Sequence, residues 1–155
     1  MNMEKPNKKM PNDLIGVAGV HFVVSELTLR GLIALPTIRN TAGIDILVSE
    51  PDGSGQASLQ VKTSLKKVAF WPTSRHDKCL KGQRGFYVFL RYLPEEKRFE
   101  AFLEDADEVA KQVKKNQEDY KKRGYKEFPY WALPSSDSEI KKFRDRWESW
   151  RPPAI

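Results

Sequence analysis

Residues 44–49 and 57–64 alternate apolar with polar side chains on either side of Glu50-Pro-Asp-Gly-Ser-Gly55, a run of turn-forming residues. This pattern predicts a two-stranded antiparallel hairpin. With the turn centred between Asp52 and Gly53, Ile44 faces Val61, Ile46 faces Leu59 and Val48 faces Ala57. Every pair on that side is apolar. The other side pairs Asp45 with Gln60 and Leu47 with Ser58, with Lys62 one step further along. A slip of one residue would scramble this sorting, so the register is well specified.

The hairpin has a chemical consequence. It brings Asp45, Gln60 and Lys62 together from distant positions in the chain. Cleaving a phosphodiester needs a divalent ion on oxygen ligands and a positive group beside the attacked phosphate. An aspartate and a neighbouring amide oxygen supply the first. A lysine two residues further along the same strand supplies the second, where it can orient water or offset charge building up on phosphate. Hard oxygen donors suit Mg²⁺ or Mn²⁺ rather than zinc.

The rest of the chain reads as an α/β protein. A polar tail over residues 1–11 precedes a helix from Asn12 or Asp13 to about Arg30, stopped at Gly31. Strands are predicted over residues 32–36, 85–92, 99–103 and 128–133, and helices over 104–122 and 137–150. The order of helix, several strands and helix predicts a mixed β-sheet flanked by helices in one domain over residues 12–155. The 155 residues carry 27 basic and 21 acidic side chains, a net charge of +6. That excess suits a polyanion but does not identify one. Cys79 is the single cysteine, which excludes an intrachain disulfide and a cysteine-based zinc site and points to a reducing cytoplasm. The apolar run Leu14-Ile-Gly-Val-Ala-Gly-Val-His-Phe-Val-Val24 follows basic residues, but His21 interrupts it and no small-x-small cleavage site follows. No stretch reaches the roughly 18 apolar residues of a membrane span.

Gly16-Val-Ala-Gly19, Phe22-Val-Val-Ser-Glu-Leu27, Gly43-Ile-Asp45-Ile-Leu-Val48 and Leu59-Gln-Val-Lys-Thr-Ser64 follow one another in an order that resembles the PD-(D/E)XK nuclease superfamily. That group includes restriction endonucleases and Holliday-junction resolvases, and small bacterial members carrying Q-x-K are nearest in pattern. Phe86-Tyr-Val-Phe89 is similar to the family's next core strand. The resemblance implies a restriction-endonuclease-like core and a DNA endonuclease-like activity. It implies Mg²⁺ or Mn²⁺ on Asp45, Gln60 and the Val61 backbone carbonyl, with Lys62 positioning the attacking water. Homodimers are common among such proteins. Two positions depart from the pattern. Val20 stands where many relatives have a glutamate, and Gln60 where they often have another. Asp45 is then the one assured carboxylate, and with Lys62 the site is near neutral. Two readings follow: an active or attenuated nuclease, and a non-catalytic nucleic-acid-binding or protein-association module on the same fold.

Other residues carry weaker signals. Glu26 is an accessory acid by type, but six residues beyond Val20 it points about 120° away around the helix, and an i,i+4 pair with Arg30 accounts for it. His21, mid-helix among apolar residues and next to Val20, reads as a partly buried histidine or an accessory group. His76 and Cys79 have the spacing of a nucleophile pair, yet nothing supplies an oxyanion hole or a third group. Lys114, Lys115, Lys121, Lys122 and Arg123 are candidate phosphate contacts, or a solvated helix face. Trp71, Tyr130, Trp131, Trp147 and Trp150 suit base stacking or core packing.

Overall fold

The computed structural model describes residues 10–38, 43–65, 67–82 and 84–155. Most of the expected N-terminal tail, residues 1–9, lies outside the described residues. A five-stranded mixed sheet forms the centre, in the order β1(Ile33–Pro36), β2(Ile46–Ser49), β3(Gln56–Ser64), β5(Gly85–Leu93), β6(Arg98–Asp105). Only the β3–β5 pairing is parallel. A parallel neighbour requires a crossover. Here the crossover carries the short strand β4(Phe70–Pro72) and a single 3₁₀ turn at His76–Lys78. β4 pairs antiparallel with β7(Tyr130–Ala132) as a separate two-stranded sheet.

Two apolar clusters lie on opposite faces of the main sheet. On one face α1(Asn12–Leu29) packs Val23 and Leu27 against Leu59, Val88 and Leu90, with Trp147 and Trp150 beside them. Gly19 allows this approach, since a Cβ there would lie 2.2 Å from Thr63 Oγ1. On the other face α2(Ala106–Lys122) and the β4–β7 pair cover Tyr87, Phe89 and Phe102 with Val109, Val113, Trp71 and Trp131. Trp131 stacks parallel on Phe89 with ring centroids 4.1 Å apart. All four tryptophans are buried, so they serve packing rather than base contacts. No helix among the described residues is long and apolar enough to cross a membrane.

The expected hairpin forms with the predicted partners Ile46–Leu59, Leu47–Ser58 and Val48–Ala57. Elsewhere the structure corrects two expectations, both about helices, and adds β4, a strand that the sequence pattern did not predict. The helix expected from residue 104 begins at Ala106, because β6 runs on to Asp105. β4 had no sequence signal beyond three residues. The final helix is one turn, Asp137–Ile140, followed by a 3₁₀ turn at Arg146–Glu148. It stops because Asp145 takes a left-handed backbone (φ 47°) and binds the edge of β6. Its N–H donates to Ala101 O at 2.8 Å and its Oδ1 accepts from Ala101 N at 3.2 Å. The edge of β6 is thereby covered in part, with an isolated bridge between Phe102 and Arg144 beside these bonds.

Candidate active site

The site is built where β2 begins. The ladder between β2 and β3 runs in register to Ile46–Leu59 and then slips. Asp45 N donates to Leu59 O at 2.8 Å, so Asp45 and Ile46 both stand against Leu59. Asp45 O accepts from Thr37 N at 2.9 Å, and Thr37 Oγ1 donates to Ile44 O at 2.6 Å, which fixes the chain on its other side. One extra residue in a strand re-aims a side chain. Here the Asp45 carboxylate turns along the sheet and its Oδ2 accepts from Val61 N at 2.7 Å. A bond to a strand N–H lies in the sheet plane. Asp45 therefore does not pair directly with Gln60, nor Ile44 with Val61, as the uninterrupted hairpin predicts.

Gln60 and Lys62 share a face, as expected from alternation. In the parallel ladder Gln60 lies beside Tyr87 and Lys62 beside Phe89. Both are half-buried. Gly43, at φ +71°, brings the backbone against Gln60: a Cβ there would lie 3.9 Å from its Nε2 and 4.0 Å from its Oε1. Among the described residues Asp45 and Lys62 make no ion pair, so a simple surface salt bridge does not account for them.

Asp45 also opens onto the α1 side of the sheet. A cleft of about 440 Å³ is lined there by Asn12, Asp13, Val20, His21, Asp45 and Val61. Val20 puts an apolar side chain on the wall of this cleft. His21 is exposed rather than partly buried. Glu26 is outside this cleft and bound elsewhere: Arg30 Nη1 meets its Oε2 at 2.8 Å, while Arg30 Nη2 meets Glu148 at 2.7 Å. Asp13, in the first turn of α1, is a carboxylate of the cleft that sequence reading missed. Only the packing of α1 across β3 discloses it.

Tyr87 lies under the Gln60 side of the site and is fully buried. Its hydroxyl accepts from Leu80 N at 3.0 Å and fixes the turn that carries Lys81. Burial pushes the Tyr87 phenol well above its ordinary range, and the charge of Asp45 adds to this. Burial also pushes the Cys79 thiol up, opposed by its hydrogen bond with Tyr87 and by the nearby ammonium groups of Lys62 and Lys81. A protonated buried thiol is no nucleophile. His76 is spent on Gln117, whose Oε1 lies 3.2 Å from its Nδ1 and accepts from its N–H at 2.9 Å. The next carboxylate on the Gln60 row is Glu104, across from Tyr87 on β6. Two strand spacings, about 10 Å, separate it from Gln60, too far to share a ligand.

No group of three His, Cys, Asp or Glu residues that could hold a metal occurs among the described residues. The donors at hand are the Asp45 carboxylate, with Asp13 elsewhere in the same cleft, the Gln60 amide oxygen and backbone carbonyls. All are hard oxygens, which fit Mg²⁺ or Mn²⁺ that keeps several waters and shares a substrate phosphate. They do not fit a closed structural metal site. Lys114, Lys115, Lys121, Lys122 and Arg123 are exposed, from the second half of α2 onward, and none of them lines the cleft.

No protein-family model matches the sequence, and no curated protein matches it. Among solved structures, a bacterial homing endonuclease aligns over 90% of this chain and 90% of its own, with a TM-score of 0.52 and 12% identity. The mixed sheet with its flanking helices is therefore a fold that a known nuclease also uses.

Proposed function

We propose that the protein is a phosphodiesterase of nucleic acid, with DNA as substrate and Mg²⁺ or Mn²⁺ as the required ion. The observation that carries this reading is the strand irregularity at Asp45, which sets a carboxylate against the Gln60-Val61-Lys62 segment on a fold shared with a homing endonuclease. A divalent ion, when bound, polarises the phosphate and supplies water for attack. Asp45, the Gln60 amide oxygen and the Val61 carbonyl are the residues that would hold it. Hydrogen bonding to Val61 N keeps Asp45 anchored while its charge remains available. Lys62 holds the attacking water by a hydrogen bond and offsets the charge that grows on the phosphate oxygens. Tyr87, through Leu80, holds Lys81 where a second ammonium reaches the phosphate backbone. A nicking assay on plasmid DNA with Mg²⁺ or Mn²⁺ tests this. Wild type cuts, whereas Asp45→Ala and Lys62→Ala do not. Absence of any metal-dependent cutting by wild type sinks the reading.

A second reading is favoured by one observation: Val20, not an acid, lines the cleft beside Asp45. On that reading the fold binds nucleic acid, or associates with another protein, without cutting. Salt-titrated DNA binding separates the two, because phosphate contacts weaken with salt. Binding that ignores salt leaves only protein association.

A further inference from the structure

The two-stranded β4–β7 sheet has aromatic residues on both faces. Its inner face, Trp71 and Trp131, is buried against Phe89. Its outer face carries Phe70 and Tyr130, with ring centroids 5.9 Å apart. Phe128 stands 6.3 Å from Phe70 and 5.7 Å from Tyr130, and Tyr120, at the end of α2, is 5.9 Å from Tyr130. Tyr125 joins the group 6.0 Å from Tyr120. Five rings thus form one connected surface. Tyr125 is 67% exposed, Phe70 46% and Phe128 37%. Several pairs meet edge-on, and the exposure of Tyr125, Phe70 and Phe128 leaves part of their ring surface open to solvent.

Charge marks the surroundings. Lys121, Lys122, Arg123 and Lys126 flank Tyr120 and Tyr125 in the chain, all are exposed, and among the described residues none makes an ion pair. The C-terminus of α2 accounts for cations in its last turn. It does not account for Lys126 beyond it, or for three exposed rings, Phe70, Tyr125 and Phe128, joined through the half-buried Tyr120 and Tyr130. Glu127, the acid nearest Lys126 in sequence, is drawn away to Gln117 and Arg75. Open aromatic faces among unpaired cations match unpaired bases on a phosphate backbone, because every base has a face to stack and every linkage a charge to meet. A duplex hides its base faces and fits such a surface poorly.

We propose that the Phe70–Tyr120–Tyr125–Phe128–Tyr130 surface is a binding platform for single-stranded nucleic acid, separate from the Asp45 cleft. The test measures fluorescence anisotropy of labelled 12-mer oligodeoxythymidylate with the full chain in EDTA, against a duplex of equal length. The single strand binds more tightly than the duplex. Tyr125→Ala weakens it about 5- to 150-fold, the loss of one stacked base, and Tyr125→Phe restores it. Lys122→Gln with Lys126→Gln lowers the slope of log affinity against log salt by about 1.4, whereas Tyr125→Ala leaves that slope unchanged. Failure of the oligonucleotide to bind, wild-type affinity in Tyr125→Ala, or tighter binding of the duplex overturns the proposal. Because Tyr125 is exposed, its loss leaves the fold intact, which circular dichroism verifies. If wild type binds the oligonucleotide through Tyr125 yet cuts no DNA with Mg²⁺ or Mn²⁺, the phosphodiesterase reading falls and the platform stands.

Discussion

Asp45 Oδ2 and Val61 N are joined by a 2.7 Å hydrogen bond that replaces the next rung of the β2–β3 ladder. A side chain here does a backbone's work, and one residue carries both a structural and a proposed chemical role. The two separate by substitution. Asp45→Asn keeps an oxygen for Val61 N–H and removes the charge. It is expected to fold within about 0.5 kcal/mol of wild type and to lose divalent-dependent cutting. Asp45→Ala strands the half-buried N–H and costs about 1–3 kcal/mol. Urea unfolding beside the nicking assay checks both. Cutting by Asp45→Asn at the wild-type rate removes Asp45 from the mechanism.

Gly19 sets how closely α1 approaches β3. A Cβ on it meets Thr63 Oγ1 at 2.2 Å and Leu90 Cδ1 at 3.1 Å. Gly19→Ala is expected to destabilise by about 1–3 kcal/mol, despite alanine's better helix propensity, because the core is overpacked. Thr63→Ala in the same chain relieves part of the cost, so the double-mutant cycle shows a favourable coupling above about 0.5 kcal/mol. Additive effects would place the strain elsewhere.

What could be read from the sequence was what local pattern dictates. Ile46, Val48, Ala57 and Leu59 sort themselves onto one face by alternation, and the hairpin register followed. The segment 85–90 carries no charged residue because both of its faces are covered, by α1 on one side and by Trp131 and α2 on the other. The slip at Asp45 was not legible, since it depends on Thr37 arriving from β1 to take the Asp45 carbonyl. The last helix failed for a similar reason: Asp145 binds the edge of β6 instead of continuing a helical turn. The platform rings were hidden because Phe70 and Tyr130 become neighbours only when β4 pairs with β7.

Tyr87 makes the protein sensitive to alkali. Its phenol sits above its ordinary value near 10, chiefly through burial. The folded state therefore holds its proton where the unfolded chain releases it. Stability is fully present below pH 10 and falls as pH rises beyond it, since the unfolded state then binds fewer protons. Cys79, also raised by burial, adds the same sign from its own lower range. In a Cys79→Ala background, Tyr87→Phe is expected to flatten the decline in stability between pH 9.5 and pH 11 (roughly the onset of phenol ionisation). It also frees Leu80 N–H, costing about 1–2 kcal/mol at neutral pH. An unchanged alkaline slope would mean that another group governs it.

Arg91 and Glu100 form a buried ion pair across β5 and β6, each under one-tenth exposed. Arg91 Nη1 also donates to Val68 O at 3.0 Å, and its guanidinium lies 5.1 Å from the Phe102 ring centroid. The pair thus ties the main sheet to the segment that leads into β4. Two further cations approach Glu100, Arg98 at 3.8 Å and Arg144 at 3.9 Å. Removing the carboxylate leaves a buried guanidinium without its anion, and Glu100→Ala is expected to cost about 3–5 kcal/mol. Arg91→Met with Glu100→Leu removes both charges and costs less than Glu100→Ala alone, with Val68 O as the one group left without its donor. Thermal unfolding of the three proteins orders them. If the double variant is the least stable, the net contribution of the pair exceeds the cost of desolvating it, and the ordering argued here is wrong.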